Sequence, residues 1–487
     1  MKVFCSAMAT WLLATGWAIS ADNDQMSAIL AFIEDAGAAD GAPPAFAVVV
    51  IHDGETAIIT QGNVGTAEAP TPVTAHTPFY IASITKSYIG LLATVLDENG
   101  VLPLEMSLAS ALPSQTWPTG IDPEAVSLSD LLSHSSGLNN PALNFRLSNL
   151  STVDDPTFSR ILESGTVQTE TGFNYVNFGY QLYGYILAQR TGRTWQDWLD
   201  AEIFRPLGLD ETTTYLPRLA ASESIWGYQL GPDGWIAITP KSDETLHAAG
   251  GIYTTPADAA TWLNANLTMN QLTSGAYERQ RQLASTVDMS MPGRRCDGYA
   301  MGLMICSVGG VPIRGHFGTY AGWRSIMSFS NELQSGVYIL AASDHMAQMW
   351  AMVVETQIYG LLSDAPGSAD MGARLISMFE AEAQGFLMQR SQSRATAMAR
   401  IGEFDTSELD VELQSIEGTY THDEIGSVTV TAINDVLLMR AGVYTATLHP
   451  VGNNEFVAFD EGVTPEAIFI DENVLRWGDD AFRRQNR

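Results

Sequence analysis

Lysine is nearly missing from this chain. Among 487 residues only Lys2, Lys86 and Lys241 carry an ε-amine, and the other 21 basic residues are arginines. Basic residues total 24 against 55 acidic ones, a formal charge of −31. Such a surface repels phosphate backbones and anionic headgroups, which argues against a nucleic-acid or anionic-membrane partner. It suits solubility at high salt, and lineage bias in composition yields the same ratio. Cysteine is equally scarce, at Cys5, Cys296 and Cys306. Neither a paired-cysteine spacing nor an H-E-x-x-H motif occurs, so no metal or other cofactor is expected. Beyond the N-terminus no run of about 20 apolar residues exists, so no internal membrane span is expected.

What is present is core-forming. Hydrophobic residues make up 46% and charged residues 16%, and the length allows about two to four domains. Lys2 precedes an apolar stretch, Val3 to Ile19, and Ala18-Ile19-Ser20 places small residues just before Asp22-Asn23-Asp24. This reads as a signal peptide over residues 1–21, and predicts a periplasmic or secreted protein. Cleavage leaves two lysines and two cysteines. An oxidising compartment permits a Cys296–Cys306 disulfide, but the pattern argues against one. Tyr299 to Cys306 reads as a strand of roughly 23 Å, and the link back to Cys296 reaches at most about 10 Å. The Cα atoms then exceed the roughly 7 Å limit for a bridge.

Gln25 to Ala39 has helical periodicity. Phe46–Ile51 and Ala57–Thr60 read as strands joined by His52-Asp53-Gly54-Glu55, a hairpin turn. Ile84 to Glu98 is a helix stopped by Asn99-Gly100, and Asn177 to Arg190 another. Residues 220–300 mix turns with a helix at Ala257–Leu267. Strands follow at Tyr299–Cys306, Val311–His316, Trp323–Ser330 and Val337–Ala342. Strands at both ends with helices between predict an α+β domain whose antiparallel sheet gathers both ends. Residues 369–411 read as a helical linker. From 412 to 487 only strand signals occur, which predicts a small all-β domain.

Ser83-Ile84-Thr85-Lys86 opens the first long helix after the hairpin. Positions three apart share one helical face. A serine hydroxyl needs an adjacent base to become a nucleophile. Lysine can be that base when burial lowers its pKa, and arginine cannot. Where a bare cation suffices this chain uses Arg, so Lys86 marks a position where losing a proton matters. With two lysines left and serine near its usual 7%, chance predicts roughly 0.15 such pairs. Tyr175-Val176-Asn177 sits in a turn before a helix; the phenol can relay a proton and the amide can orient Lys86 and a substrate carbonyl. Gly315-His316-Phe317-Gly318-Thr319 ends one strand before another begins, which allows close backbone approach. Taken singly, the second and third segments read as packing and as a simple turn. His134 reads as structural, His247 lies near Gly250-Gly251, and Lys241 reads as a surface residue.

Order and spacing of these segments matter more than any one. Phe79-Tyr-Ile-Ala-Ser-Ile-Thr-Lys86, Leu131-Leu-Ser-His-Ser-Ser-Gly-Leu138, Asn174-Tyr-Val-Asn-Phe-Gly-Tyr180, Phe204-Arg-Pro-Leu-Gly-Leu209, Ala249-Gly-Gly-Ile-Tyr-Thr-Thr-Pro256 and His316-Phe-Gly318 occur in that order. Together they resemble the serine β-lactamase and penicillin-binding-protein superfamily, in its branch of class C β-lactamases, DD-peptidases, D-aminopeptidases and family VIII carboxylesterases. The resemblance implies a β-lactamase/DD-peptidase-like fold over 22–368, with a helical subdomain. It implies Ser83 as acylated nucleophile, Lys86 and Tyr175 sharing proton transfer, and Asn177 positioning substrate. His316, Phe317, Gly318 and Thr319 would line the substrate, with the N–H groups of Ser83 and Thr319 as oxyanion hole. No cofactor is needed for that chemistry. Whether Lys86 or Tyr175 is the base stays open, since the two titrate together.

The third segment departs from the usual pattern: Phe317 stands where many relatives have a Thr that helps bind a substrate carboxylate. Losing that partner costs a carboxylate ligand about 1–3 kcal/mol, and His316 is expected to be partly charged near neutral pH. Arg324 is the candidate replacement cation. The expected function is therefore a serine hydrolase for small ester, amide or peptide substrates of esterase or D-amino-acid-specific peptidase type. The alternatives are a β-lactamase or DD-carboxypeptidase, and a penicillin-binding sensor that acylates without turnover.

Overall fold

The computed structural model describes residues 24–485 except 67–68, 171, 217–225, 232–233, 239, 405–408, 410–411, 434–435, 460–465 and 472. The expected leader at 1–21 lies outside the described residues. In chain order the elements used below are α1 (Asp24–Ala38), β1 (Ala45–His52), β2 (Glu55–Gly65), β3 (Pro70–Pro72), α2 (Thr85–Glu98), α3 (Pro141–Asn149), α4 (Asp155–Gly165), α5 (Phe178–Thr191), α6 (Pro256–Thr268), β4 (Ser285–Met291), β5 (Arg294–Tyr299), β6 (Met304–Val308), β7 (Val311–Tyr320), β8 (Trp323–Ser330), β9 (Ser335–Ala341), α7 (His345–Leu362), α8 (Ser368–Glu403) and the strands β10 to β17 that run from Gly418–His422 to Asp480–Arg484.

β1 is an unbroken apolar run, and alternate side chains enter different cores. Ala45, Ala47, Val49 and Ile51 join one; Phe46, Val48 and Val50 join the other. A strand buried on both faces requires helices on both sides of its sheet. β1 sits between β9 and β2 in a nine-stranded antiparallel sheet ordered β4-β5-β6-β7-β8-β9-β1-β2-β3, so both ends of the domain do meet in one sheet. Asp53 and Gly54, both at positive φ, close the β1–β2 hairpin, the conformation that an Asp-Gly pair favours. α2 and α6 cover one face, where the Tyr88 and Trp262 rings stack 3.7 Å apart. α1, α7 and α8 cover the other, where Trp350 packs on Phe46 and donates to the Ala36 carbonyl at 2.9 Å.

Cys296 and Cys306 form a disulfide, with Cα atoms 3.9 Å apart. This overturns the expectation of separated thiols. Tyr299 to Cys306 is not one strand: β5 ends at Tyr299, the chain turns through residues 300–303, and β6 runs back so that Cys296 and Cys306 are cross-strand partners. Gly302, at φ +77°, makes that turn possible.

The chain from Gly418 to Arg484 forms a closed eight-stranded antiparallel barrel. Closure removes the exposed strand edges that a small open sheet would present. Its interior is packed with side chains including Tyr420, Met439, Phe456, Ile468 and Phe482. The barrel docks on α3 and α4: Arg146 and Arg160 donate to the carbonyls of Glu424 and Asp423 at 3.2 and 2.8 Å, Val443 N–H donates to Asn149 O at 3.2 Å, and Trp477 meets Phe145 edge-on. Among the described residues no helix is long and apolar enough to cross a membrane.

One buried ion pair ties the sheet to α7. Arg294 contacts both oxygens of Glu355 at 2.5 and 2.6 Å, each side chain is 1% exposed, and Ser328 donates to the same carboxylate at 2.6 Å. Removing one partner leaves a buried, uncompensated charge. Glu355→Gln is therefore expected to cost about 3–5 kcal/mol, and the double change Arg294→Met with Glu355→Leu less than that. Denaturant unfolding followed by tryptophan fluorescence measures both; a Glu355→Gln change below about 1 kcal/mol contradicts the assignment of this pair as a structural tie.

Candidate active site

Ser83 lies in the single turn Ala82–Ile84 that leads into α2 and is half-buried, so a ligand can reach it. Ala82 has φ +46°, a costly conformation for a residue with a Cβ. The turn is held by its surroundings. Ile81 N–H donates to Ile252 O at 3.1 Å, and Ser325 Oγ donates to Ile81 O at 3.0 Å. Strand β7 presses directly on it: a Cβ on Gly318 would lie 2.1 Å from Ile81 O. Only glycine fits there.

Lys86 is fully buried. Its Nζ lies 3.0 Å from Ser83 Oγ, 2.7 Å from Asn177 Oδ1 and 2.8 Å from Ala249 O. Burial lowers its pKa well below the usual lysine value. A neutral amine has two N–H donors and one lone pair. Two of its three neighbours can only accept, so the donors go to Asn177 and Ala249 and the lone pair faces the Ser83 hydroxyl. Asn177 opens α5 without capping it by its side chain; the amide serves Lys86 instead. The Ala249 carbonyl is a site group that sequence reasoning missed. Its segment also receives Thr85: Gly251 and Ile252 N–H donate to Thr85 Oγ1 at 3.1 and 3.2 Å. The signal was Ala249-Gly250-Gly251, whose small side chains let this strap pass against α2.

Tyr175 is 39% exposed, its ring centroid 5.0 Å from Lys86 Nζ. Packing raises its phenol pKa above the usual value, and a hydrogen bond with Ser83 opposes the rise. Its segment is gripped by His134, whose backbone is left-handed (φ +59°). The His134 carbonyl accepts from Asn174 N–H at 2.8 Å, its Nδ1 accepts from Val176 N–H at 3.3 Å, and its ring lies 4.4 Å from that of Tyr175. Burial, then Lys86 and His316, lowers the His134 pKa well below the usual value, so it is neutral.

The third segment differs from expectation in three ways. His316 is 1% exposed, and burial, reinforced by Lys86, lowers its pKa to about 3. It is neutral, not partly charged: Nδ1 donates to Phe317 O at 2.7 Å and Nε2 accepts from Tyr299 OH at 3.2 Å. Its ring faces Tyr175 at 5.9 Å. Phe317, the next residue on the strand, points to the opposite face. There it packs under the Arg294 guanidinium, 4.6 Å from its ring, in the core formed with α7. The Phe317 side chain is thus not available to substrate. Thr319 also directs its hydroxyl away, to Gln348 Oε1 at 3.4 Å. What β7 offers beside Ser83 is backbone, around Gly318. Arg324 is no free cation either: it donates to the carbonyls of Tyr320 and Trp323.

Lys241, expected at the surface, is 3% exposed. Burial lowers its pKa to about 7. His247 lies between the two lysines; burial and then both amines lower its pKa, so it too is neutral.

Residues 30–353 match the Beta-lactamase family. The chain belongs to that family. A "Beta-lactamase" of Yersinia enterocolitica is 25% identical over 234 residues, 48% of this chain and 57% of that protein, so the match spans little more than half of the relative's length. Among solved structures, the octameric penicillin-binding protein homologue from Pyrococcus abyssi superposes with a TM-score of 0.59 at 22% identity, over 94% of this chain and 99% of that one. The D-amino acid amidase from Ochrobactrum anthropi SV3 complexed with D-phenylalanine does so with 0.56 at 24% identity, over 70% and 99%. At these identities the two structures establish fold.

If the neutral Lys86 amine accepts the Ser83 proton, the protonated form is inactive. The acylation rate must then rise with pH as Lys86 deprotonates and level off well below the usual lysine pKa of 10.5. Lys86→Arg keeps the charge but cannot take the proton, and should lower acylation by at least a thousandfold. Stopped-flow acylation against pH measures both; a rate still climbing through pH 10.5 excludes Lys86 as the base.

Proposed function

We propose that this protein is an exported hydrolase that cleaves short-chain esters or amides of D-amino acids through an acyl-enzyme on Ser83. The observation that carries it is the buried Lys86 amine, 3.0 Å from Ser83 Oγ, with Asn177 Oδ1 and the Ala249 carbonyl accepting from it. Lys86 takes the hydroxyl proton as Ser83 Oγ bonds to the substrate carbonyl carbon. The Ser83 and Thr319 N–H groups receive the oxyanion, a stabilisation of the kind that contributes about 10²–10³ in rate per donor. Asn177 holds Lys86 and meets the substrate. Tyr175, protonated at neutral pH, relays the proton held by Lys86 to the departing alcohol or amine as the C–O or C–N bond breaks, so both groups return to their starting forms. Water then gives a proton to Lys86 as its oxygen bonds to the acyl carbon, and Lys86 passes that proton to Ser83 Oγ as the acyl–Oγ bond breaks and the acid leaves.

Substrate class follows from charge. Beside Ser83, His316 on β7 is neutral, and Arg324 on β8 is tied to carbonyls. An anionic group beside the scissile bond, as in β-lactams and C-terminal D-Ala-D-Ala, therefore finds no counter-charge there, which places β-lactam and DD-carboxypeptidase turnover behind neutral esters and amides. The similarity to the D-amino acid amidase from Ochrobactrum anthropi supports a D-configured acyl group. Export is supported by the apolar N-terminal stretch and by the Cys296–Cys306 disulfide, a bond that persists in oxidising compartments.

Purified protein with p-nitrophenyl butyrate, D- and L-phenylalanine amides and nitrocefin, beside Ser83→Ala, tests this. The expected result is ester and D-amide turnover that falls more than roughly a thousandfold in Ser83→Ala, with nitrocefin slower than either. Turnover surviving in Ser83→Ala overturns the mechanism. A one-equivalent burst without turnover on every substrate replaces hydrolysis with the non-turnover sensor.

A further inference from the structure

The mechanism above leaves the buried amine of Lys241 without a role. Lys241 Nζ donates to the carbonyl oxygens of Ser148 and Thr245, the latter at 3.2 Å, and lies 4.0 Å from the Tyr320 ring centroid. Tyr320 follows Thr319 at the end of β7 and is half-buried. Its ring meets that of Tyr80 edge-on at 5.6 Å, Tyr80 OH donates to Gly250 O at 2.6 Å, and the adjoining Ala249 carbonyl accepts from Lys86. The two lysines thus stand at opposite ends of one short wall made of Tyr320, Tyr80 and the Ala249-Gly250 strap.

A buried ammonium is expensive unless its donors are met and its charge is faced by something electron-rich. Here two carbonyls and an aromatic face meet it. Neither carbonyl carries charge, so an apolar side chain of the same length would spare the desolvation cost and still fill the space. The cation adds mechanical definition. It joins three separate pieces of chain: the last turn of α3 through Ser148, the turn at Thr245, and the end of β7 through Tyr320. Ser148 is held a second time, its hydroxyl 3.0 Å from His247 Nε2.

We propose that Lys241 is a positioning residue for substrate selection, which locks the Tyr320 ring and the α3 terminus into a rigid wall against which the acyl group of the substrate is sorted. This rests on the reading that the substrate is acylated on Ser83 along β7. Lys241 touches neither the nucleophile nor its base, so it acts on fit and not on proton transfer.

The test uses the full chain with p-nitrophenyl esters of increasing acyl length. Lys241→Met should raise KM at least tenfold for the longer acyl groups and change kcat by less than threefold, with the one-equivalent burst on p-nitrophenyl acetate retained. Lys241→Arg, which keeps a cation over the ring, should recover most of the loss in KM. Tyr320→Leu should reproduce the KM effect, and the double variant Lys241→Met/Tyr320→Leu should be no worse than the more affected single one, because both remove one contact. If Lys241→Met does not fold, Tyr320→Leu alone carries the test. A KM unchanged within twofold in the folded variants, additive effects in the double variant, or Lys241→Arg behaving as Lys241→Met each overturns the proposal. If Ser83→Ala abolishes turnover while these variants match the wild type, the inference fails and the acyl-enzyme stands; if Ser83→Ala stays active, the acyl-enzyme reading itself fails.

Discussion

The architecture depends on keeping one amine dry. In the proposed mechanism Lys86 works as a base only if its proton is easy to lose, and burial is what lowers its pKa. Burial in turn demands that α2 be enclosed on every side, and three glycines make this possible. A Cβ on Gly90 would lie 2.0 Å from Met301 O, one on Gly302 2.0 Å from Lys86 O, and one on Gly318 2.1 Å from Ile81 O. These are backbone-to-backbone approaches, so no side chain could give way. The helix that carries Ser83 and Lys86 is clamped between the 300–303 turn, strand β7 and the Gly250 strap, and the left-handed backbone at Ala82 is the local consequence of seating the nucleophile in that clamp.

Strand β7 separates two electrostatic regimes. On the side of Ser83, three histidines, His134, His247 and His316, all lie near Lys86, and burial holds each in its neutral form. Any of them, if charged, would oppose or compete with proton transfer at Lys86. On the other side Arg294 and Glu355 form a fully buried ion pair under Phe317. The replacement of a hydroxyl by Phe317 therefore belongs to the packing of the back face. The neutral histidines on the Ser83 side are what the proposed preference for neutral esters and amides rests on.

Local patterns in the sequence were readable where the chemistry is local. Ser83 and Lys86 share a helical face, Asp53-Gly54 closes a hairpin, and the strand signals after residue 412 belong to an all-β domain. Asn177 joins Lys86 across 91 residues; its partner was legible only because the ordered segments resemble a known superfamily. What stayed hidden was set by distant packing. Lys241 sits among polar neighbours, Ser242, Asp243 and Glu244, yet α3 and Tyr320 bury it. The apolar run Tyr299 to Cys306 looked continuous because its turn contains no proline or asparagine and only one glycine; the fold-back there brings the two cysteines together. Strands β4 and β5 were missed in a region of turns, although burial alternates along both of them.

The barrel acquires meaning through α3. That helix is nine residues long, buries only Leu143 and is capped by Asn140, whose Oδ1 accepts from Leu143 N–H at 3.0 Å. A helix this short and this polar does not hold its place alone. It is fixed from outside by the barrel, through Arg146, Asn149 and the Phe145–Trp477 contact, and from inside by Lys241 and His247 through Ser148. The barrel is closed, and its apolar cluster also takes in Leu150 and Ala142 at the two ends of α3. The barrel and α3 thus hold each other, and in the proposed reading the end of α3 forms part of the wall that meets the acyl group. On the proposal that Lys241 sets the acyl wall, a closed domain appended after a long helix would act on substrate fit without contributing a group to the chemistry, by fixing the element that Lys241 holds from within.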